Sequence, residues 1–233
     1  MGRRQAKMRR WLLLLTSVAG LAQAAPPPPR VEVAYELSHE GSVLADVVEV
    51  LEYGGGRYQI TETSKGRGVY ALLGTMKRTS RGLVDATGVR PLQFIDERPV
   101  WPDSHATFDW QTRTITRQHK GVRETLPMPA DVQDRLSFML AFSLFPPKQK
   151  SVTYNIADGR GISSQLYSVG GQEKLKTPAG EFSTLRLVRT KENERIEVWL
   201  AAELGHFPVR AVSVSKNGRR LEQVAVRVSA AAP

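Results

Sequence analysis

The feature that most constrains the fold of this chain is an alternation of period two. Val31, Val33, Tyr35 and Leu37 alternate with Glu32, Ala34 and Glu36. On an extended chain successive side chains point to opposite faces, so this pattern sorts an apolar set from a mostly polar one. A turn at Glu40-Gly41 leads into 42–51, where Val43, Leu44, Val47, Val48 and Val50 put apolar residues on both faces. Short β-prone runs follow at 57–64, 69–78, 83–85, 92–97, 105–110, 112–118 and 122–126. After a break they resume at 151–157, 161–169, 172–175, 181–191, 195–201, 209–216 and 219–228. Turn signals separate them: Gly54-Gly55-Gly56, Ala157-Asp158-Gly159, Gly170-Gly171, Thr177-Pro178-Ala179-Gly180 and Asn217-Gly218. Asn-Gly suits a type I′ hairpin, in which both central residues take positive φ. Many short strands at hairpin spacing predict an antiparallel meander, with no βαβ alternation and no internal repeat.

One segment breaks the pattern. Residues 132–144 contain neither proline nor glycine, and Pro146-Pro147 follows them. Asp131 is a candidate N-cap, and Asp134 is placed to favour a helix N-terminus. The spacing predicts a helix over 131–144. From Leu136 to Phe145 only Ser137 and Ser143 are polar, so the helix is apolar round most of its circumference. Such a helix must be covered on more than one side or face a greasy cavity. A sheet of this many strands tends to curl or close. The expected fold is mainly β: a highly curved antiparallel sheet, an open or incomplete barrel, with one apolar helix packed in its mouth.

The first 24 residues read as a cleavable signal peptide. Arg3, Arg4, Lys7, Arg9 and Arg10 precede an apolar run from Trp11, and Ala22-Gln23-Ala24 fits the small-residue cleavage rule. The run is about a dozen residues, short of the roughly 20 that span a bilayer. Residues 25–30, four of them proline, form an extended spacer, and 31–229 form a single β-rich domain. The expected location is the periplasm, with no stable membrane anchor. The chain carries 33 basic and 23 acidic residues, net +10. Five of the basic residues and none of the acidic ones lie in the leader, so the mature chain keeps +5. That mild excess favours anionic envelope components and gives little reason to expect nucleic acid. The absence of cysteine excludes a lipid-modified N-terminal cysteine.

Motifs that carry chemistry are sparse. Asp103, His105 and Asp109, with His119 one strand later, would have to converge to hold a metal. They fall in a loop, on a strand and at a hairpin corner, so no metal and no cofactor is expected. No G-x-S-x-G elbow and no H-E-x-x-H motif is present. The expectation is a non-catalytic protein, with an acid/base pair assembled from distant strands left for the structure to decide. The aromatic residues are the better lead. Trp101, Trp110, Trp199, Phe138, Phe142 and Phe145 either pack an ordinary core or line a cavity between the curved sheet and the helix. Phe138, Phe142, Trp110 and Trp199 are the candidate ligand-binding residues.

Several runs together resemble a known family. They are Pro91-Leu92-Gln93-Phe94, Phe108-Asp109-Trp110, Gln133-Asp134-Arg135-Leu136-Ser137-Phe138, the stretch from Glu173 to Phe182, Glu197-Val198-Trp199-Leu200 and Pro208-Val209-Arg210. In order and spacing they are similar to the bacterial exported domain-of-unknown-function family 3108, over roughly 31 to 228. The resemblance implies export and a β-rich fold, and it brings no catalytic residues. The preferred expectation is a binding or chaperone-like protein for an apolar or lipid-like ligand. The alternative is a structural or assembly factor that contacts cell-envelope proteins.

Overall fold

The computed structural model describes residues 28–146 and 149–230. The expected signal peptide and the start of the proline-rich spacer lie outside the described residues. Strands β1 (Arg30–His39), β2 (Ser42–Gly54), β3 (Arg57–Gly66), β4 (Thr75–Asp85), β5 (Gly88–Glu97), β6 (Ser104–Asp109), β7 (Thr114–His119) and β8 (Val122–Pro127) form a first wing. The second wing holds β9 (Val132–Gln133), helix α1 (Ser137–Leu144) and strands β10 (Ser151–Asp158), β11 (Gly161–Thr177), β12 (Gly180–Lys191), β13 (Glu194–Ala201), β14 (Phe207–Val214) and β15 (Arg220–Ala230). All fifteen strands join one sheet in the order β8-β7-β6-β5-β4-β3-β2-β1-β15-β14-β13-β12-β11-β10-β9. Each wing is a meander, and the two fuse where β1 pairs with β15. Among the described residues only the short β9–β10 pairing is parallel.

The sheet is open and strongly curved. Helix α1 touches both β5 and β14, which stand six places apart in the strand order. At roughly 4.8 Å per strand a flat sheet would hold them nearly 30 Å apart, beyond the reach of a helix about 10 Å across. The sheet therefore wraps round the helix until β9 meets β5 and β10 meets β6. No ladder joins these edges, and side chains close the seam instead. Gln133 Nε2 donates to the Val89 carbonyl at 2.8 Å. The β10–β11 turn presses against β6 so closely that a Cβ on Gly159 would stand 2.4 Å from the His105 nitrogen. Beside it Arg160 Nη2 meets Asp96 Oδ2 at 2.9 Å. Asp96 is 1 % exposed and also faces Arg78 and Arg98. Burial pushes its carboxyl up, and the Arg98 hydrogen bonds with the three guanidinium charges outweigh this and hold it below its ordinary value.

The period-two pattern maps onto the core. Val31, Val33 and Tyr35 of β1 are buried, as are Ala45, Val47, Glu49 and Leu51 of β2. Tyr35 donates its hydroxyl to the Pro208 carbonyl at 2.8 Å, tying the first wing to β14. Phe94, Ile60, Leu187, Leu200 and Phe142 are fully buried. Gly55 and Gly56, both at positive φ, make the two-residue β2–β3 turn.

Five local expectations are corrected. The helix starts at Ser137, not near Asp131, because Val132 and Gln133 pair with Asn155 and Ile156 and Asp131 takes φ +49°. Asp134 caps instead: its Oδ1 accepts from the Leu136 and Ser137 amides, and Ser137 Oγ accepts from the Asp134 amide. Residues Gly68–Leu73 form a 3-10 turn and not the start of a strand, between Gly68 and Gly74 at positive φ. Gly170-Gly171 is no hairpin turn; the β11–β12 register shifts there inside one continuous strand. The Asn217-Gly218 loop closes between Val214 and Arg220 with only Gly218 at positive φ, so it is longer than a type I′ turn. Arg30 belongs to β1 and not to the spacer.

Candidate functional site

Helix α1 divides the space inside the sheet. On one flank Leu136, Met139, Leu140 and Ser143 pack on Leu51, Ile60, Glu49 and the segment Gly205–Pro208, leaving about 10 Å³ empty. Ser143 Oγ donates to the Gly205 carbonyl. Glu49 is buried here, and burial, then the charge of Glu62 opposite it, push its pKa up to about 8 against the pull of Arg78. At neutral pH its carboxyl is neutral. Burial also lowers the pKa of His206.

The N-terminal end of α1 rests on a buried polar chain. Tyr58 and Ser80 share a hydrogen bond at 3.0 Å, and Ser80 donates to Asp134 Oδ2 at 2.6 Å. Burial raises Asp134 to about 6, against the hydrogen bonds from Ser80, Ser137 and Leu136 that favour its charge. Every member has a partner, so the chain anchors the helix.

Beyond the C-terminal end of α1 the packing opens into a cleft of about 740 Å³. Its walls are Ala141 and Phe145, the start of β5 at Val89 and Arg90, β9 with Asp131, the start of β10 from Ser151 to Tyr154, and Trp110 after β6. Trp110 is fixed by its Nε1 donating to the Pro91 carbonyl at 2.7 Å. Tyr154 is held behind by Phe138, edge-on at 6.1 Å, and Phe138 stacks on Tyr167 at 5.5 Å. Gln133 is 5 % exposed; its amide nitrogen is spent on Val89, and its Oε1 is buried with no partner. Arg90 pairs with Asp85 nearby. The arrangement offers a mixed lining: the apolar groups of Trp110, Phe145, Val152 and Tyr154 beside polar Thr87, Ser151 and Thr153, with Arg90, paired to Asp85, and Asp131 carrying opposite charges.

The four candidate residues do not converge. Trp110 lines the cleft, and Phe138 reaches it only through Tyr154. Phe142 is sealed in the core. Trp199 alternates with Val198 and Leu200, so its indole lies on the other face of β13. There Arg210 covers the ring at 4.7 Å, and Nε1 donates to Glu173 at 2.5 Å. Gln133, Tyr154 and Glu49 were not anticipated. Glu49 had a visible signal, since it shares a period-two face with Ala45, Val47 and Leu51.

The aspartates considered for metal binding serve turns, and His105 and His119 lie on strands β6 and β7. Asp109 accepts from the Gln111 and Thr112 amides. Asp103 accepts from the Arg98 amide. Among the described residues no three histidine or acidic side chains group as a metal site. No described helix is long and apolar enough to cross a membrane.

Several solved structures resemble the chain, among them two bacterial proteins. A candidate lipoprotein from Parabacteroides distasonis is 9 % identical, over 88 % of this chain and 97 % of that one, with a TM-score of 0.41. A candidate exported protein with a YmcC-like fold from Bacteroides fragilis is 10 % identical, over 85 % of this chain and 95 % of that one, with a TM-score of 0.33. No curated protein matches the chain at a significant level. The family described as "protein of unknown function (DUF3108)" matches residues 31–224, most of the sheet from β1 into β15, and the chain belongs to that family.

Proposed function

We propose that the protein is an exported, non-catalytic binding protein of the periplasm, and that it takes an apolar or lipid-like ligand in the cleft at the C-terminal end of α1. The observation that carries this reading is a cleft of about 740 Å³ in which Trp110, Phe145, Tyr154 and Val152 stand together among polar groups. Binding sites typically combine a mostly apolar lining of several hundred Å³ with a few placed polar groups. Trp110, Phe145, Tyr154 and Val152 would cover the apolar body, and the polar side chains of Thr87, Ser151 and Thr153 on the same walls would meet its polar end. Arg90 at the rim suits an acidic or ester headgroup.

The test is native mass spectrometry of protein purified from periplasm, paired with titration by a hydrophobic naphthylamine dye. A co-purifying amphiphile, and dye binding lost in Val152→Asp and Phe145→Asp, are the expected results. Protein that leaves the periplasm empty and binds dye equally well in both variants would move the assignment to the alternative, a structural or assembly factor for envelope proteins.

A further inference from the structure

Among the described residues nine large hydrophobic side chains are exposed, and their placement is uneven. Six of them, Val69, Tyr70, Leu72, Val100, Trp101 and Val122, lie on three loops at one end of the first wing. The loops are the 3-10 turn Gly68–Leu73 between β3 and β4, the segment 98–103 between β5 and β6, and the β7–β8 turn. The antiparallel order β8-β7-β6-β5-β4-β3 sets successive loops two strands apart, roughly 10 Å, in a row about 20 Å long. The first two touch, because a Cβ on Gly74 would stand 2.9 Å from Pro99. Leu72 is 86 % and Val69 76 % exposed.

We infer that this row of loop tips is a docking surface for a phospholipid bilayer. A protein partner of ordinary affinity needs a complementary patch of about 800 Å² on each side. Here the apolar groups are spread over three separate tips in a row, and the groove beside Val69 and Tyr70 is shared with polar His39, Glu40, Ser42 and Arg67, which leaves no continuous apolar patch for a protein partner. Tyr and Trp beside aliphatic residues suit the headgroup boundary, where an amphipathic ring keeps one end dry and the other wet. Exposed Lys65, Lys77, Lys120 and Arg123 flank the tips, opposed at the same end by Glu40, Glu97 and Asp103. Without the expected leader the chain carries +5. Anionic lipid should therefore strengthen an attachment driven mainly by the apolar tips. The ligand cleft opens at the opposite end of the strands, near Thr87, Trp110 and Ser151, so the docking surface stands or falls apart from the proposed function.

Flotation of the purified protein with vesicles tests the inference. The vesicles are phosphatidylethanolamine with phosphatidylglycerol, or phosphatidylcholine alone, and one set carries brominated acyl chains. Wild type should float with both and more with the anionic set, and brominated lipid should quench a component of tryptophan fluorescence that Trp101→Phe removes. Leu72→Asp combined with Trp101→Asp should lower the partition coefficient about tenfold or more. Leu166→Asp, an exposed position on β11, should leave it unchanged, with thermal melting confirming that every variant is folded. Failure of wild type to float would overturn the inference. Equal loss in Leu166→Asp would do the same, as would self-association abolished by the tip variant, which would assign the surface to a second copy.

Discussion

On one flank of α1, Leu136, Met139, Leu140 and Ser143 meet Leu51, Ile60 and Phe207 so closely that about 10 Å³ stays empty; at its C-terminal end Ala141 and Phe145 border about 740 Å³. The same apolar helix is thus finished by protein in one direction and left open in another. A helix without a polar face must be covered wherever it is not wet. The contrast shows where the molecule supplies that cover and where something else could. A gap of 10 Å³ is at the lower limit for a single water, so the helix is no lid over a ligand chamber. Any ligand belongs beyond its end.

The largest effect should come from the closed side. Leu140→Ala should destabilise by about 2–5 kcal/mol through lost transfer energy and a new cavity, with dye binding to the folded protein unchanged. Equilibrium urea unfolding measures the first quantity and dye titration the second. A cost near 1 kcal/mol would show that the closed side is not packed.

Next comes the pH dependence set by Glu49. Its folded pKa of about 8 lies above the ordinary 4.5, so the unfolded chain ionises first as pH rises. The stability tied to this group is complete below about pH 4.5 and is lost as pH climbs to about 8. Each pKa unit corresponds to about 1.4 kcal/mol, which puts the loss on the order of a few kcal/mol. Glu49→Gln should flatten that slope and be the more stable form at pH 8. An unchanged slope would mean water reaches the carboxyl and the closed side is open.

Asp134→Ala should cost about 2–3 kcal/mol, from a lost helix cap and an unpaired Ser80. Asp134→Asn should recover much of it by keeping an acceptor for the Leu136 and Ser137 amides, a difference that thermal melting can resolve. Smallest is Phe145→Ala on the open side: within about 0.5 kcal/mol in stability, yet weaker in dye binding. The reverse pattern, destabilised but binding normally, would erase the distinction between the flanks.

Much of the sheet was legible because its cause is local. Alternation in β1 and the Gly55-Gly56 turn act over a few residues, and they appear where the pattern puts them. The helix start was not legible, since β9 exists only because Asn155 and Ile156 arrive from far along the chain to pair with it. Val69 to Leu73 read as strand because apolar content does not say whether a side chain is buried or exposed; here most of those side chains face solvent. The cleft was illegible for the same reason as β9. Its walls come from residues 87–90, 110, 131–133, 141, 145, 149 and 151–154, and only the curvature of the sheet brings them together. Trp110 was identifiable as an aromatic of interest. That Trp199 is buried under Arg210 on the face of β13 opposite to Val198 and Leu200 depends on register, which alternates side by side along the strand.

The fusion of the wings at β1 and β15 has a kinetic consequence. Within each wing every strand pairs with a neighbour in sequence, and all but the β9–β10 pair, which is joined through α1, close short loops. The central pairing joins Val31 to Ala230 and His39 to Leu221 across nearly all of the described chain. Contacts of such separation carry the largest closure entropy and slow folding. The expected order is two hairpin arrays first and their union last, with Tyr35 reaching Pro208 only at that step. Pulse-labelled hydrogen exchange should then protect β3–β4 and β12–β13 amides before those shared by β1 and β15; simultaneous protection would show that the middle of the sheet is its nucleus.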